Sequence, residues 1–338
     1  MAFSSRILTS WRDGWRRVAA APAVAAGVFA LTLLLALPLA MVLRGALTSQ
    51  LGSSLVAGRV ADGVDYDWWQ EFSAQATGLG TTFSPSILGF AATLDNVSGV
   101  LDGRAEPAPV AWALALYLAG WMFLSGGIVD RYARQRPTRT HGFFAACGVY
   151  GFRFLRLAIV AGLFYWWLFT FVHPWLFDTQ YVNLTRGLGV ERIAFLWRVA
   201  FYSAFGALLV LANLVLDYTK VRIVVEDRRS VVGALVAAVR FIRRRPRQAL
   251  GLYALNSLVF VALLALWALV APGARGAGFS MWAGLVVAQL YILARLLLKL
   301  QFTASQTALF QANLAHAAYT AAPVPVWPES AAAETIAR

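Results

Sequence analysis

Six runs of about twenty apolar residues constrain this chain more than any other feature of its sequence. They lie near 19–43, 107–129, 155–177, 193–217, 249–271 and 280–300. A helix needs that length to cross about 30 Å of hydrocarbon at 1.5 Å per residue. Lipid offers no partner to backbone N–H and C=O groups, so the crossings must be helices. The expected fold is all-α: a polytopic membrane bundle of about six transmembrane helices, one membrane domain over 1–338. Composition points the same way. Apolar residues are 60% and charged residues 13% of the chain, against roughly 45–50% and 25% in soluble domains. A water-soluble fold could not cover so much apolar surface. The first run follows Arg6, Arg12, Arg16 and Arg17, as a secretory leader would, but it is too long for the apolar region of a signal peptide and reads as an uncleaved span.

Charge sets the expected orientation. Six crossings put the N-terminus, the 130–156 and 217–248 loops and the C-terminus on one side, with twenty Lys and Arg residues against six on the other. By the positive-inside rule the basic side is cytoplasmic, so the chain is expected in a bacterial cytoplasmic (inner) membrane as a multi-pass protein with both termini inside. The net charge of +13 follows from arginines clustered beside apolar runs, and nucleic acid is not an expected partner.

The loops carry their own pattern. The 44–106 segment is expected as an external subdomain of short amphipathic helices. It holds Asp62, Asp65, Asp67 and Glu71, which lack the spacing of a calcium loop and read as a solvated acidic face. Within 218–248, Ser230 is a good N-cap, and Val231, Val232, Leu235, Val239 and Ile242 recur at helical spacing before Arg243, Arg244, Arg245, Pro246 and Arg247. A basic amphipathic helix is expected there, its arginines placed for anionic phospholipid headgroups. The last span should continue as one helix past Gln301 to Tyr319, and the 320–338 tail, with Pro323, Pro325 and Pro328, is expected to be disordered.

Little in the sequence carries chemistry. His141, His173 and His316 have no metal-ligand spacing, Cys147 is the single cysteine, and no catalytic set or cofactor motif occurs, so no metal, cofactor or catalytic residue is expected. The better lead is polar residues at membrane depth, since each is costly without a partner. Asp217, Arg295, Asn213, Asn256 and Gln289 are the candidates for an intramembrane polar network. Asp217 could pair with Arg295; alternatively Arg295 and Lys299 snorkel to the inner headgroups. His173-Pro174 after Tyr165-Trp166-Trp167 reads as an aromatic belt with a helix kink.

The stretch Asp217-Tyr-Thr-Lys-Val-Arg-Ile-Val-Val-Glu-Asp-Arg-Arg-Ser230, followed by Ala234-Leu235 and Phe241-Ile242-Arg-Arg-Arg-Pro246, resembles uncharacterised bacterial six-span membrane proteins. More loosely it resembles the membrane domain attached to some glycerophosphodiester phosphodiesterases, through an Ala-Leu-x-x-(Ala/Ser)-x-x-Phe helix before the fifth span. Leu124-Ser-Gly-Gly-Ile-Val-Asp-Arg-Tyr-Ala-Arg134 and His141-Gly-Phe-Phe-Ala-Ala-Cys147 extend the first of these likenesses. The phosphodiesterase domain has no counterpart here, so the resemblance implies no activity and no site residues. The expected function is a non-enzymatic membrane scaffold or accessory subunit of a membrane complex, partnered by the bilayer, its anionic headgroups and other membrane-protein subunits. A small-solute or lipid transporter or channel is one alternative. An interfacial lipid-processing enzyme using the external acids is another.

Overall fold

The computed structural model describes residues 2–62, 65–83, 90–104, 107–272 and 278–315, and every regular element among them is helical. Six helices are long and apolar enough to cross a membrane: α2 (Pro22–Leu51), α6 (Ala108–Arg134), α7 (Thr140–Trp167) with its continuation to Thr185, α9 (Glu191–Val225), α11 (Pro246–Val270) and α12 (Phe279–Ala315). The chain is thus an all-α bundle of the multi-pass membrane type. The 320–338 tail and Pro85 lie outside the described residues.

Successive spans run in opposite directions, so the bundle has a basic end, where α6, α9 and α12 finish, and a far end, where they begin. Exposed Trp166 and Trp167 stand mid-span, level with Asn213 of α9. Exposed Trp112, Trp175, Trp197 and Trp282 lie toward the far ends of their helices, where indole rings favour a headgroup boundary. The run after α7 stays helical through His173-Pro174 by widening into π-helical turns at Leu168–Val172 and Trp175–Gln180. Proline lacks the N–H that an α-helical ladder needs, and the wider turns absorb that defect.

The tightest packing is at the basic end. There α1 (Ala2–Ala19), α10 (Val231–Arg244) and the last fifteen residues of α12 form a layer across the ends of the spans. The sequence marks the residues before the first span only by Arg6, Arg12, Arg16 and Arg17. The structure makes them part of an amphipathic helix laid along α12 and against α11. Its inward face is Ile7, Ser10, Trp11, Gly14, Arg17 and Val18, the i, i+3, i+4, i+7 stripe of a half-buried helix. Gly14 is required by close approach: a Cβ there would lie 2.8 Å from Gln301 Oε1, Ser305 Cβ and the Ser305 backbone nitrogen. Gly127 plays the same part between α6 and α7, where a Cβ would meet Cys147 Sγ at 2.6 Å and the Phe143 carbonyl at 2.9 Å.

At the far end, α3 (Ala57–Asp62), α4 (Tyr66–Gln75), a 3-10 turn at Gly78–Thr82 and α5 (Phe90–Leu101) realise the expected short helices. Asp65 caps α4 by accepting from the Trp68 backbone N–H and lies 3.4 Å from Arg59.

Candidate functional site

The buried polar groups gather around the basic-end half of α12. Asn256, Gln301, Ser305 and Thr307 are fully shielded, with Gln306 and Asn313 nearly so. Asn256 Nδ2 donates to Ser305 Oγ (2.9 Å), which donates to the Gln301 carbonyl (2.7 Å), while Gln301 Nε2 donates to the Trp11 carbonyl of α1 (2.8 Å). Arg17 completes the join. Its guanidinium pairs with Asp13 (2.7 Å) and donates to the Tyr132 carbonyl at the end of α6 (2.9 Å) and to Gln311 Oε1 (2.7 Å). Gln311 Nε2 donates to the Ala133 carbonyl (2.9 Å). These bonds satisfy the last carbonyls of α6, which a helix terminus otherwise leaves open.

The five candidates for one network are distributed among separate contacts. Asp217 pairs with Lys220, one turn along α9 (3.0 Å), with Gln306 Nε2 at 3.5 Å. Of the two alternatives for Arg295, pairing with Asp217 is not what this structure shows: the carboxylate has a local partner in Lys220, on the same helix face. Asn213 accepts from Tyr165 Oη (3.1 Å) on the exposed seam of α7 and α9. Asn256 belongs to the α1–α11–α12 junction. Gln289 has a buried Oε1 without a hydrogen bond. Arg295 lies over the Tyr291 ring (5.6 Å). The open grooves at Ala40–Gly52 on α2 include none of these five residues.

The arginines at the α10–α11 junction divide into two sets. Arg243, Arg244 and Arg247 are exposed, whereas Arg245 turns inward and donates to Asn313 Oδ1. The Ser230 cap forms as expected, accepting from the Gly233 N–H (3.2 Å). The apolar stripe of α10 is rotated from the expected one. Val231, Ala234 and Ala238 are buried against the protein, while Val232 and Val236 are exposed beside Arg240 and Arg243. One face of α10 is thus used by the bundle, and a second face, apolar with arginines, is left outward.

Sequence reasoning missed the Arg222 corner. Arg222 grips Glu226 (2.6 Å), donates to the Ala237 carbonyl of α10 and stacks over the Phe310 ring of α12 (5.1 Å). Arg228 pairs with the same carboxylate. Burial alone would raise the Glu226 pKa; the hydrogen bonds and charges of Arg222 and Arg228 outweigh it and hold it below the ordinary value. The spacing Arg222-x-x-x-Glu226 was the available signal.

At the far end, His173 Nε2 bonds the Leu101 carbonyl (3.0 Å) within a cage of Phe169, Phe177 and Phe205. Asp102 accepts from Tyr202 Oη and from Ser98 Oγ (2.9 Å), bonds that keep its carboxyl below the usual range. These contacts pin the end of α5 to α9. Among the acids of the 44–106 segment, Asp65 is spent on its cap, while Asp67 and Glu71 are exposed. Among the described residues no three His, Cys, Asp or Glu side chains gather as a metal would require.

No protein-family model, curated protein or solved structure matches this chain.

Proposed function

We propose that this protein is a non-enzymatic membrane scaffold or accessory subunit, seated in a bacterial cytoplasmic membrane with its basic end and both termini in the cytoplasm. The supporting observation is α2. Its first turns pack through Ala25 and Val28 onto α6 and α12, but beyond Thr32 it is exposed on several sides, with Leu33, Leu34, Leu37, Met41 and Val42 uncovered. The last turns of α2 are held again, by the Gly78–Thr82 turn and a Gln50–Gln75 hydrogen bond (3.1 Å), so its uncovered stretch lies between two anchored ends and presents surface for another membrane helix, since association inside lipid rests on such packing. The charge bias supports the orientation. The likeness of the Asp217–Pro246 stretch to bacterial six-span proteins supports the setting.

The test is site-specific photo-crosslinking in cells from Leu34, Leu37 and Met41, with Phe152 and Leu163 of α7 as exposed controls. The expected result is a discrete protein adduct from the α2 positions that the controls do not give. Lipid adducts alone at all five positions would overturn the proposal.

The transporter reading keeps one observation in its favour. Asn256 Oδ1, Gln289 Oε1, Gln301 Oε1 and Gln306 Oε1 are buried acceptors without a protein donor, all on α11 and α12. Buried acceptors of this kind are commonly met by water. Solute flux in proteoliposomes that Asn256→Leu abolishes would favour this reading over the scaffold.

A further inference from the structure

Arg295 and Lys299 are two cations at membrane depth without an anionic partner. Among the described residues no carboxylate lies within salt-bridge distance of either, and both side chains are exposed. Counting from Phe279, they stand about 24 and 30 Å along α12, inside or at the edge of the hydrocarbon. The hydrogen bond from Gln311 to the Ala133 carbonyl sets the register of α6 beside α12. In that register Lys299 is level with Trp121 and Arg295 with Tyr117.

Long cations near a membrane boundary normally reach outward to the headgroups. These two do not. The Arg295 guanidinium turns back over Tyr291, one turn deeper. The Lys299 ammonium lies over the Trp121 ring at 3.6 Å and near Tyr117 at 5.2 Å. The lean of helical side chains toward the N-terminus favours that direction, because α12 starts at the far end. Lys220 and Asp217 act electrostatically on Lys299 from α9, but they neutralise each other as a pair. What remains is two unneutralised positive charges beside an aromatic wall, open to lipid. A cation–π contact holds such a charge in place without cancelling it.

We infer that Arg295 and Lys299 form an intramembrane seat for the phosphate of an anionic phospholipid, in the basic-side leaflet where α6 meets α12. The ligand is a lipid phosphate because the seat faces acyl chains at a depth that soluble anions do not reach, and basic pockets between spans are established lipid sites. The site is separate from the outward arginines of α10 and does not depend on the scaffold reading.

The test uses the full-length protein, stripped of lipid in detergent. Binding of phosphatidylglycerol, phosphatidylcholine and inorganic phosphate is titrated by native mass spectrometry, with the melting midpoint as a second readout. Wild type is expected to prefer phosphatidylglycerol. Arg295→Gln/Lys299→Gln should bind it roughly 30-fold more weakly, and Lys299→Met alone about 5-fold, from the usual worth of one basic residue near an anionic membrane surface. Arg243→Gln/Arg244→Gln/Arg247→Gln should retain the preference. If the double variant fails to fold, the single variant and the wild-type lipid comparison decide. Equal binding of the two lipids by wild type, unchanged binding in the Lys299 variants, or protection by inorganic phosphate equal to that by phosphatidylglycerol would each overturn the inference.

Discussion

At the residue scale, charge placement separates parts that move with pH from parts that do not. Glu226 is held below the ordinary carboxylate pKa in spite of burial. A carboxylate with a depressed folded pKa contributes stability that is present above its unfolded pKa and lost as pH falls through the folded one. Asp102 is shifted in the same direction but is more exposed. The melting midpoint should therefore be flat through neutrality and fall once the pH drops below the ordinary carboxylate range. Glu226→Gln should lower the midpoint near neutral pH and flatten the acid limb, measured by a thermal scan across pH. Asp217 gives a second prediction, because its partner is Lys220. In a double-mutant cycle read by denaturation, Asp217→Asn and Lys220→Gln should couple by about 0.3–1 kcal/mol. Asp217→Asn and Arg295→Gln should be additive, since each makes its own contacts.

At the element scale, α1 is the helix whose loss should matter most. Gly14→Val must push α1 off Ser305 or distort it, at a cost of about 1–3 kcal/mol for overpacking. Trypsin cleavage at the exposed Arg12 and Arg16 should then accelerate, whereas Gly27→Ala, with nothing within 4 Å of its added Cβ, should leave cleavage unchanged. The Ile7, Trp11, Gly14, Val18 stripe was present in the sequence, yet four arginines beside an apolar run look the same whether they mark topology or one face of a helix. The Ser230 cap and the extent of α10 were legible because capping is local chemistry. The rotation of α10 was not, since Ala234 and Ala238 are small and their burial depends on what α9 presents. The inward turn of Arg245 was not legible for a similar reason: its partner Asn313 is 68 residues away.

At the scale of the whole molecule, the six spans were legible because hydrocarbon thickness fixes length and apolarity together. The arrangement inside the bundle was not. Lipid contacts an apolar side chain as readily as a neighbouring helix does, so hydropathy does not say which face is inward. Small residues such as Gly127 and buried polar groups such as Asn256 mark the inner faces, and only packing shows which of them meet.

The docking of α1 on α12 also orders events in time. Helix α1 has its seat on α12, and about 260 residues of synthesis separate them. At 5–20 residues per second that interval is roughly 13–50 s. Through it the inward face of α1 lacks its main seat, having only the ends of α6 and later α11 to meet, and the bilayer surface is its natural holding place. Closure of the chain, from Arg17 to Gln311 and from Trp11 to Gln301, can happen only when the final span is in the membrane. Burial of α1 therefore reports insertion of α12. A copy stalled before α12 would be recognisable by a first helix still open to proteases.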